Sequence, residues 1–239
     1  MPDRRRGPRV HVREVRAHAD RALGQAHRLL RLIFPRAELL PLSAWAESLR
    51  EREAGLWTDL DWHVLVAQHR GRVVGAASGS YLGNVNMGLV GYVAVIRRLR
   101  GRGIGCRLRR SLRAAIARDA KRIHGRELKA MIGEVHHDNR WLRHVVRVIG
   151  ALALDFPYFQ PSLHHRARPV ELVLYYEPLT GPRHSLPTDE VRRLVYTLWR
   201  RVYRIQRPLA DAQFRRMLRA LPRGRRVGAR ALAALETGG

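Results

Sequence analysis

The chain has 239 residues, 46% of them hydrophobic, which allows one sizeable domain with an appendage and excludes wholesale disorder. Lysine and arginine number 46 against 20 acidic residues, a formal charge of +26 that draws polyanions and disfavours a polycationic substrate. Cys106 is the single cysteine, so there is no disulfide framework and no thiolate metal cluster.

Residues 8–15 alternate as a half-buried strand does. Leu23, Ala26, Leu29, Leu30 and Ile33 then recur at helical spacing up to Pro35, and Ser43 is a candidate N-cap for a second helix through Trp45 and Leu49. Trp62 to Gln68 and Arg72 to Tyr81 read as strands around an Arg70-Gly71 turn. Gly83-Asn84 signals a hairpin into a third strand, Asn86 to Ile96. A helix follows from about Ile104 to Ile123, then a strand from Leu128 to Val135. Asp138 or Asn139 caps a helix to Ile149, and two strands span Ala151 to Phe159 and Val170 to Glu177. Beyond Pro182, Val191, Leu194, Val195, Leu198 and Val202 form an apolar stripe flanked by arginines. Pro208 ends that helix, Asp211 to Leu221 forms another, and the tail after Pro222 is expected to be loose.

The most informative stretch is Arg100-Gly101-Arg102-Gly103-Ile104-Gly105, between a buried strand and a helix. Free backbone N–H groups and the helix dipole favour an anion there, glycines let it come close, and the arginines add charge. The spacing is G-x-G-x-G, not the G-x-G-x-x-G of dinucleotide sites, and Gly105 is followed by Cys106 rather than the Lys-Ser/Thr of a P-loop. Arg-x-x-Gly-x-Gly after Val93-Ala94-Val95 resembles the acetyl-CoA-binding segment of the GNAT N-acetyltransferases. The order of elements over residues 8–178 is similar to that family as well.

The resemblance implies an α/β (α+β) fold: a mixed, twisted central sheet, antiparallel passing to parallel, flanked by helices. It divides the chain into an acetyltransferase domain over 1–182 and a basic C-terminal helical extension and tail over 183–239. It also implies acetyl transfer from acetyl-CoA to a primary amine by direct attack. The fourth and fifth strands splay, freeing backbone groups of Val93 and Val95 for the pantetheine amides. The amides of Gly101, Arg102, Gly103, Ile104 and Gly105 hold the pyrophosphate with help from Arg100 and Arg102. Arg102 can equally be a solvated arginine. Asn139 matches an asparagine that contacts the cofactor in relatives, or is only a cap. Cys106, one residue past the loop, is read as a small buried helix residue rather than an acyl carrier.

The catalytic groups depart from the common family pattern. The helix position where many relatives carry an acid tyrosine falls on Val146, with His144 about 200° away around the helix. Tyr158 is the replacement candidate, against a structural tyrosine. Glu134 is the base candidate, against an exposed strand-end charge, and His136 is the runner-up. Adjacent histidines on a strand point to opposite faces, so His136-His137 and His164-His165 are not expected to bind a metal. The basic N-terminal stretch lacks the apolar segment of a secretory signal and no run reaches membrane-span length, so a cytoplasmic protein is expected. The acceptor, small molecule or protein, carries no decodable motif. An alternative is a catalytically degenerate basic scaffold for nucleic acid or another polyanion. The C-terminal stripes must be buried either on their own domain or in a homodimer.

Overall fold

The computed structural model describes residues 10–164, 168–224 and 226–231. The elements in chain order are β1 (His11–Val15), α1 (Arg21–Arg31), α2 (Leu42–Glu53), β2 (Leu60–His69), β3 (Arg72–Leu82), β4 (Met87–Val95), α3 (Ile104–His124), β5 (Ala130–Val135) and α4 (Arg140–Arg147). There follow β6 (Leu152–Ala153), β7 (Tyr158–Gln160), β8 (Val170–Pro178), β9 (Ser185–Pro187), α5 (Thr188–Thr197), α6 (Ala212–Ala220) and β10 (Arg226–Gly228). The main sheet runs β1-β2-β3-β4-β5-β8-β6, with β7 also paired to β8. β4 and β5 are parallel and every other neighbouring pair is antiparallel. This is the mixed, helix-flanked sheet expected from the sequence.

Alternation along each strand assigns two faces. On one face, Leu23, Ala26, Leu30, Trp45 and Leu49 of α1 and α2 pack on Val64, Val66 and Ala76. On the other, Leu108, Leu112 and Ile116 of α3 pack on Leu65, Ala77, Val90 and Met131. The C-terminal segment adds to the first face: Val191, Leu194, Leu198, Trp199 and Phe214 join Leu89, Ile132, Leu174 and Tyr176 in one continuous core. The apolar stripes of 183–221 are therefore buried on their own chain.

Several local expectations are corrected. The second helix begins at Leu42 after Pro41, with no side-chain cap, and Ser43 lies inside its first turn. The span from Ala151 to Phe159 is two short strands, because Asp155 turns its N–H to the Gly228 carbonyl instead of to β8 and Pro157 has no N–H to donate. Residues after Pro222 are not loose throughout: Arg226–Gly228 pairs antiparallel with Ser185–Pro187 and buries Val227. Cys106 is exposed, since it lies off the Ile104–Leu108–Leu112 seam of α3. Residues 8 and 9 of the first expected strand, His165, Arg225 and the last eight residues lie outside the described residues. Among the described residues no helix is long and apolar enough to cross a membrane.

A buried ion network locks β1, α2, β2 and α3 together. His63 Nδ1 meets Glu14 Oε1 at 2.6 Å and its Nε2 meets Asp119 Oδ2 at 2.5 Å. Arg52 bonds Glu14, and Arg122 bridges Asp61 and Asp119. Asp61, His63 and Asp119 are close enough together to share an ion. Both ring nitrogens of His63 already face carboxylates, however, which favours an imidazolium rather than a ligand.

Candidate active site

β4 and β5 pair only from Met87 with Ala130 to Val90 with Gly133. Beyond those residues the two parallel strands separate. The cause is written into β4, where Ser78 pairs with Tyr92 and Gly79 with Val90, leaving Gly91 as an extra residue. Such a bulge bends its strand and ends pairing on one side. Gly79 is needed opposite it, because a Cβ there would lie 2.1 Å from the Leu89 carbonyl oxygen. The edge of β4 carrying Val93 and Val95 is thus left without a β5 partner, as expected.

The loop after β4 makes a short 3-10 turn at Arg97–Leu99 and then passes through Gly101 at φ 76° and Gly103 at φ 72°. Only glycine adopts that left-handed conformation without strain, and a Cβ at either position would meet nothing within 4 Å. α3 therefore opens with no side-chain cap, and its first intrahelical donor is Arg107 to the Gly103 carbonyl. The preceding N–H groups are the free donors of a helix start. Arg100 Nε donates to the Val95 carbonyl at 3.1 Å, which ties the loop to the strand, while Arg102 is exposed. Between α3 and α4 runs a cleft of about 380 Å³ lined by Cys106, Arg109, Arg110, Arg113, Trp141 and His144. Asn139 caps α4, its side chain accepting from the Trp141 N–H at 2.9 Å.

Glu134 is the first residue of β5 beyond the last β4 pair, and alternation turns it to the face of α2 and the C-terminal helices. Its carboxylate is enclosed: the Tyr158 hydroxyl donates to Oε1 and the Tyr203 hydroxyl to Oε2. Burial pushes the Glu134 pKa above the usual carboxylate range, and the two tyrosine hydrogen bonds oppose that shift only in part. Burial beside this carboxylate drives both tyrosines well above their ordinary value, so each stays a hydroxyl donor. His136, two residues on, bonds Glu38 Oε1 through Nε2 at 2.8 Å. Tyr92, at the bulge, donates to the Glu38 carbonyl at 2.6 Å and accepts from the Leu40 N–H at 3.3 Å, pinning the α1–α2 connection over the splay. His164 Nε2 lies 2.7 Å from the Arg36 carbonyl oxygen on that same connection.

The sequence candidates thus divide. Glu134 and Tyr158 are in direct contact at the splay and His136 lies beside them on Glu38, while Val93, Val95 and the glycine loop lie farther along β4, past the point where its pairing with β5 ends. Tyr203 was missed, because it lies 69 residues from Glu134 in a segment with no motif. Glu38, Trp45, Trp62 and Tyr92 were missed as well. Trp45 and Trp62 read from sequence as ordinary core aromatics, and only their convergence on one cavity marks them.

A model of the acetyltransferase (GNAT) family matches residues 26–150. The chain belongs to the GNAT acetyltransferase family. A structure assigned to the same family from Bacteroides thetaiotaomicron is 15% identical with a TM-score of 0.58, over 82% of this chain and 99% of the other. An assigned acetyltransferase from Acinetobacter baylyi ADP1 is 16% identical with a TM-score of 0.50, over 73% of this chain and 95% of its own. Another, from Salmonella typhimurium and solved with acetyl-CoA, is 17% identical with a TM-score of 0.47, over 73% and 96%. These likenesses concern the fold. Among curated proteins no sequence match was found.

The GNAT chain described here departs from a minimal domain at its C-terminus. The family match ends at residue 150, whereas Tyr158, β8 and Tyr203 come later. Salt bridges fasten the chain after α5 to the earlier elements: Arg201 to Asp59, and Arg204 to Glu51. Asn84 Nδ2 donates to Thr197 Oγ1 at 2.7 Å.

Proposed function

We propose that this GNAT protein transfers the acetyl group of acetyl-CoA to a primary amine by direct attack, with Glu134 as the base. The observation that carries the reading is the position of Glu134: an enclosed carboxylate of raised pKa at the point where β4 and β5 part. When bound, acetyl-CoA supplies the activated acetyl group. The amides of residues 101–105, with Arg100 and Arg102, would hold its pyrophosphate, and the arginines of the α3–α4 cleft suit its remaining phosphate. Backbone groups of Val93 and Val95 on the unpaired edge of β4 would hold the pantetheine, and Asn139 would contact it from the α4 start.

The amine arrives protonated at neutral pH and must lose a proton before it can attack. Glu134 accepts that proton, and its raised pKa brings it closer to the range where it can both take and return one. Tyr158 gives its hydroxyl hydrogen bond to Glu134, so the acid role expected of it runs through this carboxylate. Attack forms the C–N bond and collapse of the adduct breaks the C–S bond. Glu134 returns the first proton to the departing thiolate, and the surplus proton left on the nitrogen passes to solvent as the amide forms, while Tyr158 and Tyr203 keep the carboxyl group in place. His136 acts one step away, through Glu38. The compartment is proposed to be the cytoplasm.

The test is Glu134→Gln. An amide keeps the shape but cannot take the proton, so kcat/KM should fall about 10²-fold or more, the ordinary range for a lost general base. Acetyl-CoA binding by calorimetry should stay near wild type. A variant retaining wild-type kcat/KM would remove Glu134 from the reaction.

A further inference from the structure

The cavity on which Glu134 opens has a composition unlike the rest of the chain. Glu38 and Glu134 line it, and among the described residues no lysine, arginine or histidine does, although His136 bonds the Glu38 carboxylate from outside the lining. In a chain with 46 basic and 20 acidic residues, a cavity with carboxylates and no base is a local reversal of sign. The neighbouring cavities are basic. The groove along α1, which shares Phe34 and Leu40 with this one, carries Arg28, Arg31 and Arg36. The chamber toward the C-terminal helices, which shares Trp45, Trp62 and Tyr203, carries Arg201 and Arg204, each offset by its ion pair to Asp59 or Glu51.

Aromatic rings form much of the remaining wall, with Ser78, Ser80 and Gln160 as neutral polar groups among them. Trp45 and Trp62 are edge to face with centroids 5.3 Å apart, Trp45 and Tyr92 are 5.9 Å apart, and Phe34 meets Tyr92 at 5.2 Å. Tyr203 closes the set from the C-terminal segment. Ring faces and carboxylates together attract an ammonium beyond what the neutral Ser78, Ser80 and Gln160 would offer any polar group. The free volume is about 70 Å³, far below that of a drug-sized pocket, so the slot takes a head group and a short stem. The Trp45 indole N–H is buried with no partner among the described residues.

We infer that the acceptor is a primary amine whose ammonium is its only positive charge, carried into the Glu38–Glu134 aromatic slot on a short apolar stem. The two carboxylates attract the head, and Arg28, Arg31 and Arg36 of the neighbouring groove repel a second cation. The inference rests on the acetyltransferase reading for its chemistry but not for its binding. Polyamines and lysine- or arginine-rich segments are thereby disfavoured.

The experiment is a titration of the full chain with butylamine, phenethylamine, butanol and spermidine at about 0.15 M salt, read by tryptophan fluorescence. The Trp62→Phe variant assigns the signal to the slot. Butylamine and phenethylamine should saturate, butanol should not, and spermidine should bind about tenfold or more weakly than butylamine. Glu38→Gln, at a position outside the sheet, should weaken the monoamines about tenfold. Butanol binding as well as butylamine, spermidine binding as tightly as butylamine, or no monoamine binding would each overturn the inference. Calorimetry with acetyl-CoA on the same samples separates the two readings. Acetyl-CoA binding without amine selectivity sinks the slot alone. Amine selectivity without acetyl-CoA binding keeps the ammonium site and sinks the transferase.

Discussion

Replacing Gly103 separates backbone strain from ligand contact at the loop before α3. Gly103 sits at φ 72°, and an added Cβ would meet no atom within 4 Å. The folded protein alone therefore opposes Gly103→Ala only through the left-handed conformation, about 1–2 kcal/mol for an L-residue. At this chain length each kcal/mol is worth roughly 2–4 °C, so Tm should fall by about 2–8 °C. Gly125, at φ 63° with equally open surroundings, ends the same helix. At 1.5 Å per residue it is roughly 30 Å away. Gly125→Ala should cost the same Tm and leave acetyl-CoA affinity untouched. Gly103→Asn completes the set, because asparagine tolerates the left-handed region yet places a side chain where a phosphate would lie. Losing one charge-assisted N–H contact costs about 1.5–3 kcal/mol, or roughly tenfold to a hundredfold in Kd. Calorimetric titration with acetyl-CoA should show that loss for Gly103→Ala and Gly103→Asn alike. If Gly103→Asn bound acetyl-CoA within about twofold of wild type, the loop would not be the phosphate cradle.

Tyr203→Phe removes one of the two donors that stabilise the Glu134 carboxylate, so the acidic limb of kcat/KM should move to higher pH, whereas a purely structural tyrosine would leave that limb in place. Burial disfavours the charged form of His63, but its bonds to Asp119 and Glu14 outweigh this and raise its pKa; its contribution to stability is full below about pH 6.5 and is lost as pH rises through the folded value. Glu14 runs the opposite way: burial raises its pKa, the bonds from His63 and Arg52 overcome that and bring it to about 2, and its contribution is present above about 4.5 and lost as pH falls toward that value. Asp61, raised by burial, subtracts from stability as it ionises. Urea midpoints should therefore fall at both ends. His63→Leu should cost about 3–5 kcal/mol by leaving buried carboxylates unpaired, and a midpoint unchanged by pH in the wild type would refute the network. Gly79→Ala, whose Cβ would press on backbone at the bulge, should cost at least about 1–3 kcal/mol, and chemical denaturation near wild type would show that the bulge can shift.

The residue pattern alone determined the order of elements and the glycine loop, because both depend on local periodicity and backbone freedom. Val93-Ala94-Val95, Gly101 and Gly103 announce a strand, a left-handed turn and an open helix start within a dozen residues. Glu134 and Tyr158 were legible as candidates only through the family resemblance, as replacements for a carboxylate that the fourth strand lacks and for a tyrosine position that falls on Val146. Their contact was not legible. Whether Glu134 faces solvent or a closed cavity depends on the face of β5 it occupies and on what covers that face. The cover comes from Tyr203, far along the chain and just past the end of a helical stretch whose sequence shows only an apolar stripe. Cys106 makes the same point in reverse: a small apolar residue in a helix reads as buried, yet its angular position off the α3 seam leaves it exposed. The acidic, aromatic slot joins residues 34, 38, 45, 62, 92, 134 and 203. No spacing rule links them, because strand order, the bulge at Gly91 and the docking of the C-terminal helices bring them together only when the chain is folded.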